Sequence, residues 1–149
     1  MKELKFEMPS MEWTVYQDKT FCVTVKNWKR KKADWIGSKV VISDEPANYW
    51  NVYAFIYEDH PAFNKPGLIS NLHFHGGITY DRTLTEQTVL GIGWPKDEPR
   101  VTIKVGSDYA HYGDEYYENE DGNDGVPWSI QNDCGLLVEQ LLEMKESEY

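Results

Sequence analysis

The sequence is poor in cysteine and lacks any long apolar run. Its two cysteines, Cys22 and Cys134, are too few for a disulfide framework, and we expect both to be reduced core residues. No stretch approaches the roughly 18 consecutive apolar residues of a transmembrane helix. The charged segment 1–7 lacks the apolar centre of a signal peptide. We therefore expect a cytoplasmic protein with no membrane partner.

Diagnostic catalytic motifs are also missing. The chain has no His-Glu-x-x-His, no closely spaced cysteine pair, no Gly-x-Ser-x-Gly and no phosphate-binding glycine loop followed by lysine. These absences exclude an assignment by motif to the common zinc proteases, serine hydrolases or P-loop nucleotidases. The motifs therefore leave open whether the protein is an enzyme.

Basic residues are scarce in the C-terminal part of the chain. Residues 108–149 contain twelve Asp and Glu against one lysine, whereas residues 1–40 contain nine Lys and Arg against five Asp and Glu. The acidic part argues against direct binding of nucleic acid, since phosphates would be repelled. A basic host protein or a divalent metal ion would suit it, although solubility is the commoner reason for such charge.

Aromatic and β-branched residues, in contrast, are plentiful and predict an antiparallel sheet. Residues 49–57 form the strongest predicted strand, aromatic and β-branched almost throughout, as in a strand buried on both faces. Further strands are predicted at 12–25 (two strands around a turn at 17–19), 35–42, 68–74, 88–94 and 100–105, the last two joined by a turn at 95–99.

The C-terminal segment changes to a helical period. Its apolar residues are spaced by four, three, four and three, which predicts a helix over 129–146 with Ser129 as its N-cap. The predicted fold is therefore α+β, a mostly antiparallel sheet with this helix packed on one face. We expect a single domain, 1–149, comprising a variable N-terminal part (1–48), a sheet and motif core (49–128) and the helix. The stripe comprises Ile130, Cys134, Leu137, Leu141 and Met144.

The histidines and several glycines predict a functional site. All four histidines lie near predicted strand ends or glycine turns, where neutral-pH proton transfer or metal binding can be arranged with carboxylates. Gly76 and Gly77 would let the backbone approach a ligand. The alternative is that these are turn glycines, with histidines satisfied by backbone hydrogen bonds. The predicted catalytic residues are His75, His111 and Asp108, and the predicted ligand-binding residues are His60, Gly76, Gly77, Tyr80 and Asp114.

Four sequence pieces resemble a widespread family of small phage and prophage proteins. They are His-Pro-Ala-Phe at 60–63, His-Gly-Gly-Ile-Thr-Tyr at 75–80, Gly-Ser-Asp-Tyr-Ala-His-Tyr-Gly-Asp at 106–114, and the segment 133–141. The resemblance covers about residues 52–142 and implies a phage-encoded protein in the host cytoplasm. It singles out His60, His75, Asp108, His111 and Asp114, but implies no particular chemistry. The chain departs from the family pattern at Ser107, usually aromatic, and at Asp59, usually glycine.

Two functions from different classes remain open. In the first, the His/Asp/Gly pocket binds, or binds and hydrolyses, a small polar, nucleotide-like ligand, with or without a divalent metal, as a counter-defence activity. In the second, the acidic C-terminal half blocks a basic, nucleic-acid-binding surface of a host protein, as anti-CRISPR proteins can. Clustering of the histidines favours the first function and the charge asymmetry favours the second, while the oligomeric state is not predicted.

Overall fold

A computed structural model describes residues 10–84, 101–109, 117 and 125–146 of the chain. Within them, five antiparallel strands form one sheet, in the spatial order β1-β2-β3-β5-β4. The elements are β1 (Met11–Gln17), β2 (Phe21–Ile36), β3 (Lys39–Tyr57), α1 (Pro66–Ser70), β4 (Tyr80–Leu84), β5 (Thr102–Asp108) and α2 (Trp128–Glu146). The predicted α+β class, with a C-terminal helix packed on a mostly antiparallel sheet, is confirmed.

The main core lies between α2 and one face of the sheet. Alternate residues of β2 and β3 point to this face, as the two-residue period of a strand requires. The apolar stripe of α2 packs against them, with Ile130, Leu137 and Leu141 fully buried. The strand residues of this core include Phe21, Val23, Val25, Trp50, Val52, Ala54, Ile56 and Val105.

The opposite face of the sheet carries a second, smaller cluster. Cys22, Phe55 and Tyr57 are buried there, with Tyr53 packed against them. Strand β3 is therefore buried on both faces, as its sequence predicts. Both cysteines are free thiols in the interior, and burial raises the pKa of Cys22 to about 11 and that of Cys134 to about 12. Neither thiol is therefore ionised at neutral pH.

The structure corrects two local predictions. Residues 68–74 do not begin a strand, because Pro66 opens the short helix α1, in which the amides of Leu68 and Ile69 both donate to the Lys65 carbonyl. Helix α2 begins at Trp128, so Ser129 lies inside it and is not the N-cap. The predicted strand at 88–94 and turn at 95–99 lie outside the described residues.

Strands β2 and β3 form a hairpin that extends beyond the rest of the sheet. Their turn is Gly37-Ser38, and only Gly37 has a positive φ, 64°, as the two-residue hairpin turn with glycine first requires. β1 pairs with β2 only as far as Asn27, and β5 pairs with β3 only as far as Asn51. Residues 28–49 therefore form a two-stranded ribbon, which we call the arm. The predicted strand at 35–42 contains its turn.

Candidate functional site

His60 lies in the core, where both of its ring nitrogens form hydrogen bonds. Nδ1 accepts from the Ala62 amide at 3.0 Å, and Nε2 lies 3.0 Å from the Leu141 carbonyl, to which it donates. These bonds require the neutral tautomer with its proton on Nε2. The side chain is 2% exposed, and its burial lowers the pKa. His60 thus fastens the turn after β3 to helix α2.

His75 lies against two tyrosines near the end of β5. Its ring is parallel to that of Tyr109, with 4.3 Å between centroids and 7° between planes. Tyr117 meets both rings edge-on, with centroids 5.7 Å from His75 and 4.7 Å from Tyr109. Tyr109 is buried, whereas His75 is half-buried. A histidine is thus held in a fixed plane close to the surface.

Asp133, from the first half of α2, joins this stack to a second histidine. Its Oδ2 accepts a 2.6 Å hydrogen bond from the Tyr109 hydroxyl, and its Oδ1 lies 3.5 Å from Nε2 of His73. Burial, and then the hydrogen bond to Asp133, raise the pKa of Tyr109 far above its usual value. Tyr109 therefore remains a hydrogen-bond donor at all physiological pH values. We call His73, His75, Tyr109, Tyr117 and Asp133 the aromatic cluster.

Helix α2 also fixes the backbone that carries the two histidines. Gln140 lies two helical turns after Asp133, on the same side of α2. Its Oε1 accepts from the His73 amide at 2.7 Å, and its Nε2 donates to the Asn71 carbonyl at 2.7 Å. Both bonds hold an irregular segment that has no strand partner of its own in the described residues. The side chain therefore replaces strand pairing there.

Gly76 and Gly77 form the turn that follows His75. Their φ angles are +69° and +89°, which side chains with a Cβ rarely adopt. The Gly77 amide donates to the Phe74 carbonyl at 3.0 Å, closing the turn. An added Cβ on Gly77 would meet nothing within 4 Å, so backbone conformation rather than crowding accounts for glycine there.

Asp108 and Tyr80 lie on the opposite face of the sheet from the aromatic cluster. Asp108 and Tyr109 are adjacent in the chain, so their side chains point to opposite faces of the sheet. Asp108 lies on the same face as Tyr53. The pKa of Tyr53 is raised by burial and then by nearby charges that include Asp108. The Tyr80 ring packs edge-on against Tyr53 at 5.7 Å, and the Lys104 ammonium lies 4.2 Å from the Tyr53 centroid. The predicted site residues are therefore divided between two faces.

Two further predicted site residues, His111 and Asp114, lie outside the described residues. Among the residues that are described, no group of three or more His, Cys, Asp or Glu side chains could hold a metal ion. Any divalent metal site would need ligands from the remaining segments, so the metal stays a prediction.

The structure also contains a cavity of about 410 Å³ away from the cluster. It lies between α1 and the outer strand β4, and its walls are mainly apolar. Its volume is within the range of small-molecule pockets. None of the predicted site residues lines the cavity. One lining residue, Ile78, directly follows the glycine turn at 76–77. The cavity is lined by Phe63, Pro66, Ile69, Ser70, Ile78, Asp81, Thr83 and Ile103.

Two buried polar groups beside Tyr109 have no hydrogen-bond partner among the described residues. They are Nε1 of Trp50 and Oγ of Ser107. The Tyr109 amide donates to the Trp50 carbonyl at 2.9 Å, and Ser107 precedes Tyr109 by two residues, on the same face. Such groups also occur elsewhere in the described residues, at Thr14, Thr24 and Thr102, so they do not by themselves identify a site.

Sequence reasoning assigned no role to Asp133, Tyr109, Tyr117 or Gln140. The helical period could have indicated two of these residues. Asp133 directly precedes Cys134 of the buried stripe, and Gln140 directly precedes Leu141. A polar residue beside a buried stripe faces the boundary of the core, where it can bond to neighbouring segments. Nothing in the sequence indicates that Tyr109 and His75 stack, since 34 positions separate them.

Comparisons with family models, curated proteins and solved structures gave no match. The phage-family resemblance therefore stays a prediction based on its motifs alone. No helix in the described part of the chain is long and apolar enough to cross a membrane.

Proposed function

We propose that the protein binds a small polar ligand with a flat ring, such as a nucleotide, at the aromatic cluster. The observation that supports this most is the parallel stack of half-buried His75 on buried Tyr109. Aromatic and imidazole rings held in a fixed plane are suited to stacking on a base. His75, predicted as a catalytic residue, is a stacking residue of the site in this proposal, with Tyr109, Tyr117 and Asp133 as new members.

The cluster combines a rigid platform with polar groups at its edge. Tyr109 cannot rotate freely, because its hydroxyl is bonded to Asp133 and its ring is buried between His75 and Tyr117. The side chain of His73 is 43% exposed and that of Asp133 is 24% exposed, so both can be reached from solvent. A ligand that stacks near His75 would therefore meet a carboxylate acceptor and an imidazole.

The same groups could support chemistry on the bound ligand. A histidine next to a carboxylate is a common arrangement for moving a proton near neutral pH. We therefore include hydrolysis of the ligand in the proposal, with His73 and Asp133 beside the bond that would break. In the phage setting that the resemblance implies, capture or destruction of a nucleotide signal would be a counter-defence activity.

Isothermal titration with adenosine and guanosine monophosphates tests the binding proposal. His75→Ala should weaken binding about five- to 150-fold, since stacking on one ring contributes roughly 1–3 kcal/mol. Trp35→Ala, which removes an exposed ring on the arm, is the matched control and should bind as the wild type does. Phosphate release from each nucleotide, measured in parallel, reports on hydrolysis.

Two results would count against this assignment. If folded His75→Ala binds both nucleotides with unchanged affinity, the cluster is not the site. If Thr83→Trp, which fills the cavity beside α1, abolishes binding instead, the ligand occupies that cavity. Circular dichroism must show that each variant is folded, because Tyr109 and its neighbours also belong to the core.

The acidic interaction protein remains the second candidate, supported by the outer surface of α2. Trp128 is 78% exposed and Leu136 is 44% exposed, and three exposed glutamates follow them. This outer stripe runs at helical spacing through Trp128, Asn132, Leu136, Glu139, Glu143 and Glu146. A folded His75→Ala variant with full biological activity, combined with loss of activity on reversing Glu139 and Glu143, would favour this function.

A further inference from the structure

The arm exposes an unusual number of large apolar side chains. Trp35 is 73% exposed and Ile36 is 65% exposed, and the facing strand exposes Val40, Val41 and Ile42. Single exposed apolar residues are common on proteins, but a contiguous group of them usually marks an interaction surface. All five residues are at least 39% exposed, so their surface is available to another molecule.

One face of the arm is apolar over its outer part. Trp35 pairs with Val40, and Ala33 pairs with Ile42. Because residues two apart on a strand share a face, these four side chains lie together on one side of the ribbon. At the base of the arm, Trp28 stacks on Tyr49 with 4.5 Å between centroids, and its Nε1 donates to Asn51 at 2.6 Å. The arm is thus anchored at its base.

The charge of the arm limits its possible partners. The arm, residues 28–49, contains five basic and three acidic residues, so it is positive on balance, whereas the whole chain has a net charge of −10. A partner that meets the arm must be acidic beside an apolar centre. Anionic lipid and nucleic acid would suit the basic residues but would be repelled by the rest of the chain. An acidic protein surface fits both.

The outer stripe of α2 provides such a surface on the same chain. Its first half carries exposed Trp128 and Leu136, and its second half carries Glu139, Glu143 and Glu146. The arm has the same order, with apolar residues at its tip and basic residues at its base. The two surfaces also have similar lengths. The eight residue steps of the arm strand from 28 to 36 and the eighteen residue steps of α2 each span about 27 Å. The apolar tip of an arm can therefore pack on the apolar first half of an outer stripe, while the basic base of the arm lies on its acidic second half.

We propose that two copies of this chain form a symmetric dimer in which each arm lies on the outer stripe of the other copy. Within one chain both surfaces remain exposed, so they do not satisfy each other intramolecularly. One ribbon face covers about 27 by 10 Å, so one contact buries only about 540 Å² over both partners, well below the roughly 1,200 Å² of total burial in a stable interface. Reciprocal exchange makes the contact twice, which brings the burial to about 1,100 Å², and it closes the assembly without further growth.

Sedimentation velocity on the full chain between about 1 and 100 µM tests this dimer. Reversing the arm charges with Lys29→Glu and Lys31→Glu, which share the face of Trp35, or the helix charges with Glu139→Lys and Glu143→Lys, should each weaken self-association at least about tenfold. An equimolar mixture of the two reversed chains should restore the dimer, because the altered arm then meets the altered helix and the unaltered arm meets the unaltered helix. Arg82→Glu, an exposed reversal on β4, is the control and should dimerise normally.

A separate variant tests the apolar part of the contact. Trp35→Ser with Val40→Ser should weaken the dimer at low and high salt alike, whereas the charge reversals should matter less as salt rises. Three results would overturn the proposal: a wild-type chain that is monomeric at 100 µM, a dimer insensitive to both reversals, or a mixture that does not recover. Arm-dependent binding of a monomer to phosphatidylserine vesicles or duplex DNA would also overturn it.

Discussion

The two halves of the β2–β3 hairpin have similar strand sequences and very different surroundings. In the body half, residues 21–27 and 50–57, the helix, β1 and β5 cover the strands, and Trp50 is fully buried. In the arm, the same two strands continue with no other strand beside them among the described residues, and Trp35 is 73% exposed. The same kinds of strand-forming residue are therefore buried in the core in the body half and exposed, available for association, in the arm.

This difference shows that apolar content alone does not reveal burial. Both halves satisfy the backbone hydrogen bonds of a hairpin, so both are locally regular. Only the body half gains from removing apolar surface from water within the chain. Substitutions should therefore affect stability in the body and association in the arm, and the predictions below test this contrast from the largest expected effect to the smallest.

The largest effect is expected for Leu141, which α2 buries completely against the body half. Leu141→Ala should lower the free energy of unfolding by about 2–5 kcal/mol, through lost transfer energy and the cavity that remains. Leu136→Ala, on the exposed side of the same helix, should change it by less than about 0.5 kcal/mol. Urea unfolding of both variants measures the difference, and equal effects would contradict the described orientation of α2.

His60 should have a comparable but smaller effect. His60→Ala removes the ring that donates to Leu141 and accepts from Ala62, and it leaves the Ala62 amide without a partner in a buried site, whereas the Leu141 carbonyl keeps its helical bond. One unsatisfied buried group costs about 1–3 kcal/mol, so a loss of about 1–3 kcal/mol is expected. His73→Ala, whose side chain is partly exposed, provides the histidine control and should lose much less. Similar losses in the two variants would contradict the core role of His60.

Much of the fold can be predicted from the residue pattern. The helical period of the last segment identifies α2 to within one residue at its start, and the almost continuous aromatic and β-branched run at 49–57 identifies the part of β3 buried on both faces. The arm was harder to predict, because the Gly37-Ser38 turn is short and Pro46 suggested an end to the strand. Pro46 instead pairs with Lys31 next to a register shift, in the part of β3 without a second neighbour.

The site was less predictable, because it depends on contacts between distant segments. Histidine near a strand end or a glycine turn indicates a functional position, but His60 is buried and His75 is half-buried. What separates them is α2, which accepts a hydrogen bond from His60 and presents Asp133 to Tyr109, the ring on which His75 stacks. Sequence spacing cannot show which histidine lies beneath a helix. It also could not show that Asp108 and Tyr80 face away from His75.

The buried histidine should also make stability depend on pH. Burial lowers the pKa of His60, and the unfolded chain therefore binds its proton at a higher pH than the folded chain does. The contribution of neutral His60 to the free energy of unfolding is fully present above the pKa of a histidine in the unfolded chain, near 6.5. It is lost as pH falls below that value, by up to about 1.4 kcal/mol per pH unit. Urea unfolding between pH 7.5 and 5 measures this slope, which His60→Ala should reduce and His73→Ala should retain.

Asp18 provides an internal check, because it acts in a different pH window. Burial alone would raise the pKa of Asp18, but hydrogen bonds from the Thr20 amide and hydroxyl, at 2.6 Å each, and from Lys145 hold it far below its usual value. Its contribution is therefore present above about pH 4 and is lost below it. A stability loss that begins only below pH 4 would contradict the role given to His60.

The smallest effect on folding is expected in the arm. Trp35→Ser should change the free energy of unfolding by less than about 0.5 kcal/mol at protein concentrations where the chain is monomeric, because the ring is already in water. At concentrations where a dimer forms, the same variant should appear less stable than the wild type, since binding to the folded state adds to stability. Unfolding curves at about 1 and 100 µM separate these contributions. A large loss at the lower concentration would mean that the arm packs on its own chain, and the contrast between the two halves of the hairpin would then fail.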